Sequence, residues 1–108
     1  MTNTENIYAV EIYINSADNR IAGSLELTDT LSLADAKEEY AAKVANMGRD
    51  RLTDNGRFTP DVIRDIKAGR LTGTVSVSLL DYSGITNFDG PTEPDILHDT
   101  EWDLKDFF

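Results

Sequence analysis

The chain of 108 residues contains no cysteine and one histidine, and both scarcities restrict its chemistry. Without cysteine there is no disulfide, no thiolate zinc site and no cysteine nucleophile. The single histidine, His98, could pair with Asp95 or Asp99, but no serine lies in a nucleophile elbow to complete a triad. Glycine-rich phosphate loops are also missing. We therefore expect no catalytic residue, no cofactor, no metal site and no enzymatic activity.

Positive charge is scarce as well. Ten Lys and Arg face twenty Asp and Glu, so the net charge is -10, and the pI is near 4.3. Such a balance argues against direct binding to nucleic acid and against a polybasic contact with a membrane surface. No apolar run approaches the roughly 20 residues of a membrane-spanning helix, and the first residues form no signal-peptide core. These features favour a cytoplasmic protein.

Three segments alternate in the manner of β-strands. Residues 7–14 place Tyr8, Val10, Ile12 and Ile14 on one face, and residues 21–28 place Ile21, Leu25 and Leu27 on one face. A short polar connection between these two segments predicts an antiparallel hairpin. Residues 71–79 alternate apolar side chains with Thr and Ser, which indicates a strand with one buried face.

Two helices are predicted between the hairpin and the third strand. Ser32 with Asp35 resembles a capping box, and Leu33 begins an apolar stripe that ends before Gly48. Thr59 as N-cap with Pro60 at the first helical position predicts a second, shorter helix, ending at Gly69.

This order of elements, β-β-α-α-β, predicts an α+β fold in which both helices cover one face of a small antiparallel sheet. One domain over residues 1–86 is expected, followed by an acidic C-terminal tail over residues 87–108. The core is predicted to contain Val10, Ile12, Leu25, Tyr40, Val44, Ile63, Ile66, Val75 and Val77.

The tail carries seven of the twenty carboxylates, three of the four Phe and the only Trp. Acidic disordered segments are poor in aromatics, so this one is expected to dock on its own domain or on a partner. We predict a short helix over residues 94–108, with a stripe formed by Asp95, Asp99, Asp103 and Asp106. In a helix, positions 95–106 would carry five carboxylates, Glu101 included, at about one per 3 Å, which is close to the ~3.4 Å charge spacing of one strand of a duplex. In an extended tail the same five would be about 7 Å apart, too sparse to imitate it. An extended, solvated tail is the alternative interpretation.

Residues 49–70 form the one segment with a positive sum, +2. Its six cations are a candidate anion or tail-docking site: Arg49, Arg51, Arg57, Arg64, Lys67 and Arg70. A solvated surface, docking of the acidic tail and contact with nucleic acid all remain open at this point.

These patterns favour a binding protein that uses its acidic surface. We expect an inhibitor that mimics nucleic-acid phosphate and occupies the basic surface of a DNA- or RNA-handling protein, by analogy in composition with phage antirestriction and anti-CRISPR inhibitors. The candidate partner-binding residues are Glu38, Glu39, Asp95, Asp99, Glu101, Trp102, Asp103, Asp106, Phe107 and Phe108. The alternative is an adaptor that docks through its acidic-aromatic tail; a small hydrolase ranks last.

The final residues also resemble the acidic tip of bacterial single-stranded DNA-binding proteins, in which acids precede phenylalanine. The match covers Glu101, Asp103, Asp106, Phe107 and Phe108. This resemblance implies docking to replication or repair proteins.

Overall fold

A computed structural model describes residues 6–53, 56–82 and 94–108 of the chain. Two strands come first, β1 (Tyr8–Asn15) and β2 (Gly23–Leu27), and three helices follow. The helices are α1 (Leu33–Ala45), α2 (Arg49–Thr53) and α3 (Pro60–Lys67). Two further strands, β3 (Thr74–Asp81) and β4 (Asp95–Asp103), precede a 3-10 turn over Leu104–Phe107.

The four strands form one antiparallel sheet in the order β2-β1-β3-β4. The predicted α+β class is therefore confirmed, with β4 and the one-turn helix α2 added to the predicted order. Of the helices in the described ranges, none has both the length and the apolar character needed to cross a bilayer.

The core lies between the helices and one face of the sheet, which we call the inner face. In β1 and β3 every second residue points to it, and Ile12 lies opposite Val77 at its centre. Side chains from all three helices complete the same cluster: Ala36, Leu52, Val62 and Ile66. Of the predicted core residues, five are buried and four (Leu25, Tyr40, Val44 and Ile63) are partly buried against the cluster.

Both predicted helix caps are present. The Ser32 hydroxyl accepts a hydrogen bond from the backbone N–H of Asp35, and the Thr59 hydroxyl accepts one from Val62. Each bond satisfies a backbone donor that has no partner within its own helix. After α3 the chain turns at Gly69, whose φ of +77° lies in the left-handed region that glycine tolerates.

The predicted faces of β2 are wrong for two residues. Ile12 pairs with Glu26 and Tyr13 pairs with Ser24, so Leu25 is an extra residue in the strand. A bulge of this kind shifts the alternation by one position. Glu26 therefore lies on the inner face and Leu27, 53% exposed, lies on the opposite face, which we call the outer face.

The predicted helix over residues 94–108 is wrong. Residues Asp95–Asp103 form β4, paired with β3 along its full length, and only the turn Leu104–Phe107 is helical. Thr100 and Trp102 alternate with acidic residues, and this period of two suits an edge strand. A helix would instead have stacked like charges four residues apart. The C-terminal segment thus belongs to the sheet and, through buried Leu104, to the core.

The two faces are distinguished by truncating one side chain on each. We expect Ile12→Ala to lower the free energy of unfolding by about 2–5 kcal/mol, because it leaves a cavity in the core. Leu27→Ala removes the side chain on the outer face and should cost no more than about 1 kcal/mol. Chemical denaturation of both variants measures the difference, and equal losses would contradict the bulge at Leu25.

Candidate acidic interface

Strand β4 forms one edge of the sheet and carries four carboxylates. Its pairing with β3 fixes where they point. Asp99, Glu101 and Asp103 lie opposite Ser78, Ser76 and Thr74, whose side chains are on the outer face. Since two residues of a strand span about 6.6 Å, the three carboxylates form a row with that spacing. We call Asp99, Glu101 and Asp103 the acidic row.

The acidic row has polar neighbours but no cation. Glu101 accepts a hydrogen bond from the Thr74 hydroxyl at 3.4 Å, and Asp103 accepts one from the backbone N–H of Lys105 at 3.0 Å. Within the described ranges, no Lys or Arg lies within ion-pair distance of any member of the row. All three residues are exposed. Their charge is therefore directed at solvent.

A fourth acid extends this surface across the sheet. Glu11 of β1 pairs with Ser78, which in turn pairs with Asp99, so these three residues lie side by side on neighbouring strands of the outer face. Tyr82, just after β3, is affected by the same charge: burial and then the Glu11 carboxylate raise the pKa of its phenol. The sequence analysis missed Glu11, although its position between Val10 and Ile12 in an alternating strand was the available signal.

The predicted stripe of four carboxylates does not form. The bulge at Leu97 shifts the alternation, so Asp95, opposite Asp81, lies on the inner face. Asp106 lies in the 3-10 turn. Only Asp99 and Asp103 share a face. Even neighbours in the acidic row are about 6.6 Å apart, about twice the ~3.4 Å charge spacing of one duplex strand, so β4 alone does not reproduce that spacing.

The aromatic side chains of the described residues 94–108 pack on their own domain. Trp102 and Phe107 meet edge to face at 6.0 Å, and Phe108 stacks on Phe58 at 5.7 Å. All of these residues belong to the core or pack against it. Trp102, Phe107 and Phe108, expected to bind a partner, are therefore half-buried inside this molecule.

Most of the six cations of residues 49–70 are occupied by contacts within the molecule. Three are in ion pairs: Arg51 with Glu26, Arg64 with Asp61 and Arg70 with Asp65.

The other three cations have different surroundings. Arg57 donates to the backbone carbonyls of Ile21 and Ser24. The Arg49 guanidinium lies over the Phe108 ring, 5.5 Å from its centroid. Of the described residues 94–108, Phe108 thus contacts Arg49 through its ring, and no carboxylate among them is ion-paired with a cation of residues 49–70. Lys67 lines a shallow groove of about 440 Å³ together with Arg49, Pro60, Ile63 and Arg64.

Glu26 binds two cations beneath the helices. It accepts hydrogen bonds from Lys43 of α1 at 3.1 Å and from Arg51 of α2 at 3.0 and 3.1 Å. Burial disfavours the charged carboxylate, but these two cations outweigh that effect and lower the pKa of Glu26. The Lys43 side chain is only 6% exposed, so its charge depends on these acidic partners.

The two helix acids expected to bind a partner differ in their surroundings. Glu38 is exposed and has no ion pair in the described chain, whereas Glu39 contacts Lys43 at 3.4 Å.

Arg20 links the β1–β2 connection to α3, because its guanidinium forms ion pairs with Asp18 at 2.7 Å and with Asp65 at 3.2 Å. The hydrogen bond from Arg20 lowers the pKa of Asp18 to about 2.

His98 lies on the inner-face side of β4, with its ring 6.1 Å from that of Tyr40, whose hydroxyl hydrogen-bonds to Thr100 at 2.7 Å. Asp99 points to the opposite face, so these two residues do not form a dyad. Among the described residues there is no group of three or more His, Asp or Glu arranged to hold a metal ion.

Comparison of the chain with protein-family models, with curated proteins and with solved structures gave no match. Its function is therefore inferred from the geometry of the described residues.

Loss of the Glu26 charge tests the contact with Lys43 and Arg51. We expect Glu26→Gln to lower the free energy of unfolding by about 1–2 kcal/mol at pH 7, because two cations lose hydrogen bonds to a charged acceptor. The difference in unfolding free energy should have its full size above about pH 4.5, the usual pKa of the carboxyl. It should disappear as the pH falls through the lowered pKa that Glu26 has in the folded chain. Denaturant melts from pH 7 to pH 3 measure it.

The matched control is Glu39→Gln, which leaves Lys43 paired with Glu26 and should cost about 0.5 kcal/mol or less. An equal loss in both variants, or a Glu26→Gln difference that does not decrease as the pH falls below about 4.5, would contradict the assigned role of Glu26.

Proposed function

We propose that this chain is a non-enzymatic binding protein that inhibits a DNA- or RNA-handling protein by occupying its basic surface. The observation that carries the proposal is the separation of charge within the fold. Within the described ranges, five cations are paired with acids of the hairpin and helices, while no Lys or Arg lies within ion-pair distance of the acidic row of β4.

The arrangement of ion pairs gives the negative charge a direction. Arg20, Lys43, Arg51 and Arg70 all contact Asp or Glu outside β4. The acidic row and Glu11 therefore contribute an uncompensated negative field on the outer face. Fields of this kind raise association rates with surfaces of opposite charge and suppress binding to surfaces of like charge.

Proteins that handle nucleic acids present such surfaces. Their Lys and Arg side chains contact phosphates without regard to sequence, and another source of clustered negative charge can compete for them. Because the carboxylates of β4 are about 6.6 Å apart, the inhibitor would act through the field and shape of a sheet face. It would not copy a duplex charge by charge. The phage antirestriction and anti-CRISPR inhibitors remain its analogues in composition, and a partner of this class places its action in the cytoplasm.

The adaptor alternative is less well supported by the same structure. It requires the aromatic residues of the tail to be available for a partner, whereas Trp102, Phe107 and Phe108 pack against the domain's own core. Releasing them would expose Leu104, which is fully buried.

Neutralising the acidic row tests the proposal. We expect the triple variant Asp99→Asn, Glu101→Gln, Asp103→Asn to lose at least tenfold in affinity for its partner. The partner is first captured from a lysate of the source cells at about 0.05 M salt and should be released at about 0.5 M salt, where screening shortens the range of the field. Its binding to labelled duplex DNA or RNA is then measured with and without the chain.

The matched control is the triple variant Asp29→Asn, Asp35→Asn, Asp50→Asn. It removes the same charge from exposed residues that make no ion pair in the described chain. The proposal is supported if the control inhibits the partner fully while the variant of the acidic row loses affinity for it. Equal effects of the two variants, or a captured protein whose nucleic-acid binding is unaffected by the chain, would overturn it.

A further inference from the structure

Among the described residues, no strand pairs with the outer edge of β4. In the described chain β4 pairs only with β3, and it is the longest of the four strands at nine residues. Every second residue of an edge strand directs its N–H and C=O away from the sheet. Such an edge can add a further strand.

β4 has charged side chains and one bulge, but other features that block edge strands are missing from its described residues. β4 contains no proline, and its pairing with β3 is regular over the six positions from His98 to Asp103. Seven of its nine residues are exposed. The bulge at Leu97 interrupts only the first part of the strand. Within the described chain, a regular edge of about six residues is thus unpaired.

The acidic row decides which strand this edge can accept. A second copy of β4 placed beside the first would bring carboxylates opposite carboxylates, and like charges directly opposite are destabilising. A strand with Lys or Arg at every second position would instead place a cation opposite each member of the row. The edge is therefore protected against its own copy and open to a basic strand.

Two exposed apolar residues extend the surface at the beginning of β4. Ile96 is 61% exposed and Leu97 is 42% exposed, next to each other at the bulge. In an antiparallel partner strand the residues opposite this pair come after those opposite the acidic row. An apolar residue following the cations would cover Ile96 and Leu97.

We infer that β4 binds an extended segment of its partner by antiparallel strand addition. The segment has Lys or Arg at alternate positions opposite the acidic row, followed by an apolar residue opposite Ile96 and Leu97. This inference rests on the proposed function and specifies which part of the basic partner is bound. Backbone hydrogen bonds along the edge supply affinity, and alternate side chains supply the selection.

Synthetic peptides test the alternation. The probe is a fluorescein-labelled heptapeptide, Lys-Thr-Lys-Thr-Lys-Thr-Val, titrated against the full chain by anisotropy. Its control has the same composition in a block order, Thr-Lys-Lys-Lys-Thr-Thr-Val. In an extended strand adjacent side chains point to opposite faces, so the block order aligns fewer cations with the row. We expect the alternating peptide to bind about five- to tenfold more tightly.

Backbone methylation tests strand addition itself. Two versions of the alternating peptide carry N-methyl groups on every Lys amide or on every Thr amide. Only one set of amides faces β4 in an antiparallel pair, so we expect the two affinities to differ at least tenfold. In the complex with the unmethylated peptide, amides of residues 95–103 that exchange quickly in the free chain should exchange at least tenfold more slowly.

The variant that neutralises the acidic row should lose the preference for the alternating order, while the control variant at Asp29, Asp35 and Asp50 should keep it. Equal binding of alternating and block peptides, equal binding of the two methylated peptides, or unchanged amide exchange in β4 would each overturn strand addition. The proposed function would stand in those cases if the captured partner still depended on the acidic row. Discrimination among the peptides together with a partner that handles no nucleic acid would overturn the proposed function and support strand addition.

Discussion

The antiparallel pairing of β4 with β3 joins an acidic segment from the end of the chain to a sheet that is otherwise built from β1, β2 and β3. The pairing directs Thr100 and Trp102 to the helix side and the acidic row to the outer face. It also places Leu104 in the core and Phe108 against Phe58. The accessible edge and the separation of charge both depend on this one set of backbone hydrogen bonds.

Local signals made much of the fold predictable from sequence. The caps at Ser32 and Thr59 and the apolar alternation of β1 and β3 depend on residues close together in the chain, and the structure contains all of them. Two features depended on non-local pairing and were missed. The first is the bulge at Leu25, which places Leu27 on the outer face. The second is β4, whose extended conformation depends on its pairing with β3.

The candidate site was predictable in its residues but not in its geometry. Asp99, Glu101 and Asp103 stand at every second position, which is a strand period, yet Asp95, Asp99 and Asp103 also fit a helical stripe. Pairing with β3 decides between these periods. The occupation of the basic residues could not be read from sequence either, because Arg51 reaches Glu26 across 25 positions and Arg57 reaches Ser24 across 33.

The strand order has a consequence for how the chain folds. The central neighbours β1 and β3 are far apart in the sequence, with Tyr8 opposite Asp81. Bringing such distant segments together costs loop-closure entropy before any contact compensates, and topologies of this kind fold slowly. The β1–β2 hairpin and the helices depend on contacts between residues that are close in sequence, so they can form early. β4 has no strand to pair with until β3 has formed. Until β3 and β4 are paired, the unpaired strands are prone to aggregate. Aggregation is opposed by the electrostatic repulsion between chains that each carry a net charge of -10.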